Sequence, residues 1–162
     1  MDKIVIRIPA TTANLGPGFD CLGIALDIFN EVTVAQAHSL NITVQGEGAG
    51  QISLRQDNLV YRAIATVFTK LGKPVPELSL NCLNRIPLAR GLGSSAAAVA
   101  GGLVAANEIL GKLLSPDDLL QLGAGMEGHA DNIAPALFGG CQLVYREEDR
   151  YNHVPVPLPA GL

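Results

Sequence analysis

The chain has 162 residues, of which 48% are hydrophobic, 16% charged and only 4% aromatic, and its formal net charge is −4. This length allows one domain with a hydrophobic core and a short extension, but no second large domain. The eleven Lys and Arg residues form no cluster, so the sequence lacks the positive surface that binding to nucleic acid or to an anionic membrane requires.

Three widely separated cysteines, Cys21, Cys82 and Cys141, have neither the even count of a disulfide framework nor the spacing of zinc ligands. The N-terminal residues lack the apolar region of a signal peptide, and the longest run of small apolar residues is far below the ~20 needed to span a bilayer. We therefore expect reduced thiols and a cytoplasmic protein that contacts no membrane.

The first half of the chain is predicted to be rich in strands. Residues 3–8 alternate apolar and polar side chains, which indicates a half-buried strand ended by Pro9. Residues 10–20 are dense in glycine, proline and small polar residues, and we interpret them as an irregular loop. Two strands with a turn near Asp27 are predicted next, at residues 21–26 and 30–37.

A first helix is predicted from Asn58 to Gly72, because apolar residues recur there at helical spacing and Pro74 stops the pattern. A strand at 78–83 then leads into a glycine-rich stretch at 87–93 and an alanine-rich helix that ends near Leu110.

Another helix begins after Ser115, which is a good N-cap before a proline and two acids, and it is expected to reach about Gly123. A strand at 141–145 and a turn at 146–150 follow. The tail, 154–159, has a proline at every second position, so it cannot be a central strand and is interpreted as a connector. This order of elements predicts one α+β domain, residues 1–153, with helices covering one face of a sheet, followed by a connector at 154–162.

The glycine-rich stretch has the composition of a phosphate site. Gly91 and Gly93 let the backbone approach a ligand, while Ser94 and Ser95 supply hydroxyls and a plausible N-cap. The first amides of the following helix, at the positive end of its dipole, could bind phosphate without a lysine.

Two other interpretations of this stretch remain open. The match of Gly91, Gly93 and Ala96 to a dinucleotide fingerprint is weak, since no acid follows at the distance that a ribose contact needs. The glycines could also serve only a tight turn between a strand and a helix. A Walker loop is excluded, because no lysine follows Gly93.

Two further clusters of polar residues are candidates for a site. Asn14 and Asp20 bracket a Gly-Pro-Gly sequence, where they could cap their own backbone or pair with a cationic group. We call Glu127, His129, Asp131 and Asn132 the third cluster, after the glycine-rich stretch and the pair Asn14 and Asp20. Within it, His129 could be a base, a metal ligand or a packing residue. Glu127 is the better candidate for Mg²⁺, with Ser94 or Ser95 completing an oxygen shell.

Three segments together resemble the GHMP small-molecule kinases. The segment Pro87-x-x-x-Gly91-Leu92-Gly93-Ser94-Ser95-Ala96-Ala97 resembles the phosphate-binding motif of the whole superfamily. Residues 9–23 and 127–140 are more specific, and they resemble the branch whose acceptor is homoserine.

The resemblance implies transfer of the γ-phosphoryl group of ATP to the side-chain hydroxyl of homoserine, for threonine synthesis. It implies that Ser95 and Glu127 hold Mg²⁺, that Asn14 and Asp20 hold the amino group of homoserine, and that His129 and Asn132 reach its reacting end. The implied catalytic set is Ser95, Glu127, Asn132 and Asp131, with Asp131, a possible base, ranked last. The implied ATP-binding residues are Asn58, Pro87, Arg90, Gly91, Leu92, Gly93, Ser94, Ser95 and Ala96.

The implied fold is like domain 2 of ribosomal protein S5, followed in the family by a second, ferredoxin-like domain. The resemblance covers nearly all of this chain but only the first part of the family's length, and the family's substrate-binding arginines have no counterpart here. We therefore expect a fragment of low activity, or alternatively a non-catalytic nucleotide-binding module or another kinase of the superfamily. A face left open for a second domain also makes a homodimer possible.

Overall fold

Six strands and four helices form the part of the chain that the computed structural model describes, residues 3–159. Residues 1–2 and 160–162, which include the end of the predicted connector, lie outside that range. The strands are β1 (Ile4–Leu15), β2 (Gly18–Gln36), β3 (Asn41–Gly46), β4 (Leu78–Asn84), β5 (Cys141–Glu147) and β6 (Arg150–Val156). The helices are α1 (Leu59–Lys70), α2 (Ser94–Ile109), α3 (Pro116–Glu127) and α4 (Ile133–Phe138).

The strands form one sheet in the order β3-β4-β2-β5-β6, and β1 pairs with β2. Only β3 and β4 are parallel among the described pairs, and α1 lies in the long connection that a parallel pair requires. Inward residues such as Val34 and Leu80 are fully buried, whereas Val5 on the opposite face is 50% exposed. The predicted α+β class, with helices on one face of the sheet, is confirmed.

The long hairpin of β1 and β2 differs from the sequence prediction. Pro9 does not end the first strand, and residues 10–20 are not an irregular loop: pairing continues from Pro9↔Phe29 to Leu15↔Gly18. Proline is tolerated because, among the described strands, β1 pairs only with β2, and because the register shifts directly after Pro9. No turn forms near Asp27, contrary to the prediction. Residues 27 and 28 of β2 instead lie opposite the register shift in β1 and have no partner in that strand.

The predicted starts of two helices are confirmed, whereas one predicted helix end is wrong. The side chain of Asn58 caps α1, as predicted, and Ser115 forms a capping box with Asp118 at the start of α3. The predicted end of α3 at Gly123 is wrong, because the helix continues to Glu127. A Cβ at position 123 would lie 2.7 Å from Cγ2 of Ile133, so this glycine allows α3 to pack closely against α4.

The end of the chain forms a hairpin at the edge of the sheet. The turn is shorter than predicted, since β5 extends to Glu147 and β6 begins at Arg150. The tail is not a central strand, as expected, but β6 occupies the sheet edge as far as Val156. The edge position tolerates Pro155, which pairs with Gln142.

The alanine-rich helix α2 lies at the centre of the core, between α1 and the sheet. Ten of its sixteen residues are buried, and most of them are small. A Cβ added to Gly102 would lie 2.4 Å from the carbonyl oxygen of Val60 in α1, and one added to Gly101 would lie 2.9 Å from Cδ1 of Ile8 in β1. Glycine therefore sets how closely α2 approaches both neighbours. None of the helices in residues 3–159 is long and apolar enough to cross a bilayer.

We expect Gly102→Ala to destabilise the protein by about 1–2 kcal/mol, because overpacking against backbone outweighs the helix propensity gained. Gly125→Ala is the matched control, since Gly125 also lies within a helix and a Cβ added there would have no atom within 4 Å. This control should raise stability by a few tenths to about 1 kcal/mol. Urea unfolding of both variants measures the difference, and equal stabilities would contradict the packing role of Gly102.

Candidate active site

The glycine loop, residues 87–93, connects β4 to α2 and is anchored at both ends. At its entrance, Oδ1 of the buried Asn30 accepts hydrogen bonds from the backbone N–H groups of Arg85 (2.8 Å) and Ile86 (2.9 Å). At its exit, the carbonyl of Leu92 accepts a bond from the N–H of Thr11 in β1 (3.1 Å). The loop is therefore held by the sheet.

Gly93 ends the loop and is the N-cap of α2, with a φ of 63° and no side-chain cap. The prediction of a serine cap is wrong, because Ser94 and Ser95 are the first residues of the helix itself. A Cβ on Gly93 would lie 1.9 Å from Oγ1 of Thr11, so both backbone conformation and space require glycine. With no capping side chain present, the first N–H groups of α2 stay open to a ligand.

A cavity of about 190 Å³ lies over this helix terminus. We call it the loop cavity. All the predicted phosphate-binding residues contribute to it, together with Glu127 and Asn132. Its lining residues are Pro87, Ala89, Arg90, Gly91, Leu92, Gly93, Ser94, Ser95, Ala96, Glu127 and Asn132. The structure thus brings the glycine loop and two residues of the third cluster to one site.

A second cavity, of about 280 Å³, adjoins the first and shares Ala89, Ser94 and Ser95 with it. We call it the apolar cavity, because its walls are mostly hydrocarbon. The apolar lining residues are Val32, Val44, Ile52, Leu59, Val60, Cys82, Leu88, Ala89, Ala97 and Ala98. Burial raises the pKa of the Cys82 thiol to about 11, so this wall is uncharged at neutral pH.

Asn58 lines the apolar cavity, but its carboxamide is used within the protein. Its Oδ1 accepts bonds from the N–H groups of Val60 (3.0 Å) and Tyr61 (3.4 Å), and its Nδ2 donates to the carbonyl of Ser53 (2.8 Å). The polar group of Asn58 therefore caps α1, while the residue forms part of the cavity wall.

The hydroxyl of Ser95 donates a hydrogen bond of 2.6 Å to Oε1 of Glu127, which is the last residue of α3. The two side chains place a hydroxyl and a carboxylate beside the open N-terminus of α2. Hard cations such as Mg²⁺ bind oxygen ligands of these kinds, often one or two carboxylates together with phosphate oxygens. The donor set therefore fits a magnesium ion bound jointly with a phosphate ligand.

Asp131 organises the third cluster. It is 1% exposed, and its Oδ1 lies 2.7 Å from Nδ1 of His129 and accepts a bond of 2.9 Å from the N–H of Asn132. A carboxylate accepts hydrogen bonds, so Nδ1 of His129 carries the proton and Nε2 is left as the outer nitrogen of this half-exposed ring.

Asn14 and Asp20 flank the tip of the β1–β2 hairpin, and both have left-handed backbone conformations, with φ of 61° and 56°. Oδ1 of Asn14 accepts a bond of 3.0 Å from the N–H of Asp20, which is the backbone cap that the sequence left open as an alternative. Within residues 3–159, no hydrogen bond joins either residue to the third cluster. The hairpin nevertheless approaches that cluster, because a Cβ on Gly23 would lie 1.9 Å from the carbonyl oxygen of Asp131.

The structure adds Thr11 to the residues that sequence reasoning identified. Thr11 is completely buried, and its hydroxyl donates a bond of 2.8 Å to Oδ1 of Asn132, which lies 121 positions further along the chain. Its only local signal was its place in a segment of small residues that we interpreted as a loop. The apolar residues that line the apolar cavity were also not predicted from the sequence. They come from several separate elements and form no continuous motif.

Gly93→Ala and Gly91→Ala separate backbone strain from crowding in the loop. Both glycines have positive φ, but no atom lies within 4 Å of a Cβ built on Gly91. Gly91→Ala should cost about 1–2 kcal/mol of stability through its conformation alone. Gly93→Ala should cost a further ~1–3 kcal/mol through contact with Thr11. Chemical denaturation tests this order, and a loss at position 91 as large as that at 93 would contradict it.

Comparison with solved structures relates the fold of this chain to that of known kinases. A crystal structure of homoserine kinase from Cytophaga hutchinsonii superposes with a TM-score of 0.84 at 34% identity, covering 99% of this chain and 53% of that chain. A mevalonate kinase from Methanococcus jannaschii gives a TM-score of 0.71 at 18% identity, covering 96% of this chain and 56% of that one. This second likeness shows a shared fold alone.

Comparison of sequences shows the family. A homoserine kinase from Carboxydothermus hydrogenoformans is 51% identical over 157 residues, which make up 96% of this chain and 52% of that protein. The chain spans about half the length of the curated relatives that it matches. The family described as "GHMP kinases N terminal domain" matches residues 58–140, from the cap of α1 to the start of β5, and with them the whole glycine loop. The chain belongs to this family of GHMP kinases.

Proposed function

We propose that the chain is the ATP-binding part of an enzyme that phosphorylates the side-chain hydroxyl of L-homoserine, giving O-phospho-L-homoserine in threonine biosynthesis. The observation that carries this proposal is the pair of adjoining cavities at the N-terminus of α2, one apolar and one lined by the glycine loop. The choice of homoserine is supported by the names of relatives that are 51% and 48% identical to this chain.

The two cavities suit the two ends of ATP. The apolar cavity offers a hydrocarbon surface for adenine, with Asn58 in its wall. The loop cavity offers the open N–H groups of α2, the backbone of Gly91 to Gly93, and the side chain of Arg90 for the phosphates. Ala89, Ser94 and Ser95 line both cavities, so the bond between the nucleoside and the phosphates would lie beside them.

We place Mg²⁺ at Ser95 and Glu127, whose oxygens already lie together at the edge of the loop cavity. When bound, the ion would neutralise charge on the transferring phosphoryl group. The protein's own contribution is to hold the hydroxyl and the carboxylate on two different helices at a fixed separation, so the site is formed before the ligand binds.

The acceptor is proposed to lie between the hairpin tip and the third cluster. The carboxylate of Asp20 would bind the amino group of homoserine beside Asn14. His129 and Asn132 would contact its reacting end, with Nδ2 of Asn132 as a donor to charge that develops on the phosphoryl oxygens.

We assign Asp131 to holding this cluster in place, although the sequence also suggested it as a base. The Oδ1 atom of Asp131 is already engaged with His129 and with the backbone of Asn132, and the side chain is buried. Phosphoryl transfer depends mainly on positioning and charge stabilisation, so the reaction does not require the Asp131 carboxylate to act as a base.

A cytoplasmic location is also part of the proposal, supported by three cysteines that are all free. The homodimer suggested by the sequence stays a prediction that sedimentation velocity can test.

The function is tested with protein expressed from the complete reading frame that contains this chain, in an ADP-release assay. Homoserine should be the preferred acceptor over mevalonate, galactose and shikimate, and another preferred acceptor would overturn the proposal. Calorimetric titration of the present chain with Mg-ATP supplies the second arm. Binding without any turnover in the complete protein would instead favour a non-catalytic nucleotide-binding module, and a preference for NAD would favour a dinucleotide site.

Ser95→Ala and Glu127→Gln should each lower kcat by roughly 10²-fold or more, because they remove groups that act on the transferring phosphoryl. Asp20→Asn should mainly raise KM for homoserine and lower kcat less, since it acts on the far end of the acceptor. Glu108→Gln is the control, because Glu108 lies in α2 and, among the described contacts, its side chain pairs only with Lys112, three residues beyond the end of that helix. Steady-state kinetics decides, and equal losses of kcat at all three site positions would contradict the roles assigned.

A further inference from the structure

Thr11 links parts of the site that are distant in sequence. It lies in β1 and is completely buried. Its backbone N–H donates to the carbonyl of Leu92 in the glycine loop, and its hydroxyl donates to Oδ1 of Asn132 just before α4. Its Oγ1 also fills the space beside Gly93, where no Cβ fits. One threonine therefore contacts the loop, the cap of α2 and the third cluster.

The bond from Thr11 determines which way the carboxamide of Asn132 faces. Asp131 is acceptor-only when ionised, and its Oδ1 lies 3.5 Å from Nδ2 of Asn132. The amide nitrogen must therefore lie on the side of Asp131, and the oxygen on the side of Thr11. With Oδ1 taken by the threonine hydroxyl, Nδ2 keeps a hydrogen that has no partner in residues 3–159, and Asn132 lines the loop cavity.

We infer that Thr11 is a positioning residue that holds Asn132 with its amide N–H directed at the transferring phosphoryl group, in register with the glycine loop. This inference rests on the proposed function for the identity of the group that Asn132 contacts. Because the same threonine is bonded to Leu92, a displacement of the loop would also displace Asn132. The phosphate site and the acceptor side of the reaction thus share one buried anchor.

The pair Thr11→Ala and Thr11→Ser isolates the hydroxyl, because both variants lose the methyl group and only serine keeps the donor. In the complete protein, Thr11→Ala should lower kcat by roughly tenfold or more, with KM for ATP changed by no more than about twofold. Thr11→Ser should keep kcat within about threefold of the wild type. Thr12→Ala is the control, because the Thr12 hydroxyl makes no hydrogen bond within the described part of the chain.

Equal kcat values for Thr11→Ala and Thr11→Ser would overturn the inference, as would a loss in both variants that follows their loss of thermal stability. A spectroscopic measurement does not depend on turnover. In the wild type, the side-chain amide protons of Asn132 are assigned by their absence in Asn132→Asp. Their signals should shift in Thr11→Ala but not in Thr12→Ala, because only Thr11 is bonded to the Asn132 carboxamide. The same signals should stay near their wild-type positions in Thr11→Ser, which keeps the hydroxyl. A large shift in Thr11→Ser would refute the role of the hydroxyl, even if the alanine variant does not fold.

The two measurements also separate this inference from the proposed function. If the wild type does not phosphorylate homoserine, while the amide of Asn132 is held as described, the proposed function fails and the orienting role of Thr11 stands. If homoserine is phosphorylated but alanine and serine at position 11 behave alike, the function stands and the role of Thr11 fails.

Discussion

The close approach of α2 to its neighbours is the constraint on which the rest of the structure depends. The helix packs closely on α1 because Gly102 leaves no side chain beside the backbone of Val60, and Gly101 leaves room for the end of the Ile8 side chain of β1. A helix packed so closely cannot tilt or slide without overlap on one side or the other. Its N-terminus therefore has a fixed position at the surface, and Gly93 turns the chain there without covering the open amides.

The site forms where three distant parts of the chain meet that terminus. The glycine loop and α2 supply the backbone amides, the end of α3 supplies Glu127, and the segment before α4 supplies Asn132. The hairpin of β1 and β2 supports the last of these, since Gly23 packs on the carbonyl of Asp131 and Thr11 bonds to Asn132. A substitution in the hairpin can thus change the geometry at the third cluster without touching a ligand.

Much of this arrangement could be predicted from sequence, because the signals were local. Periodicity predicted α1 and β4, the Ser115 cap predicted the start of α3, and the glycine-rich stretch predicted where the loop cavity lies. The failures came where tertiary contacts outweighed composition. Small residues at 10–20 indicated a loop, but all except the turn at 16–17 form strands, because β1 and β2 pair with each other up to the hairpin tip. Similarly, Gly123 marks helix packing and not a helix end.

The backbone conformation at the hairpin tip could not be predicted from the sequence. Asn14 and Asp20 both occupy the left-handed region, which costs an ordinary L-residue about 1–2 kcal/mol, and Asn and Asp somewhat less. Strand pairing and the bond from the Asp20 N–H to the Asn14 side chain hold this conformation in place. The conformational entropy of the tip is therefore lost when the protein folds and not when a ligand arrives. A ligand that binds there meets a preorganised backbone, and its affinity is not reduced by having to order one.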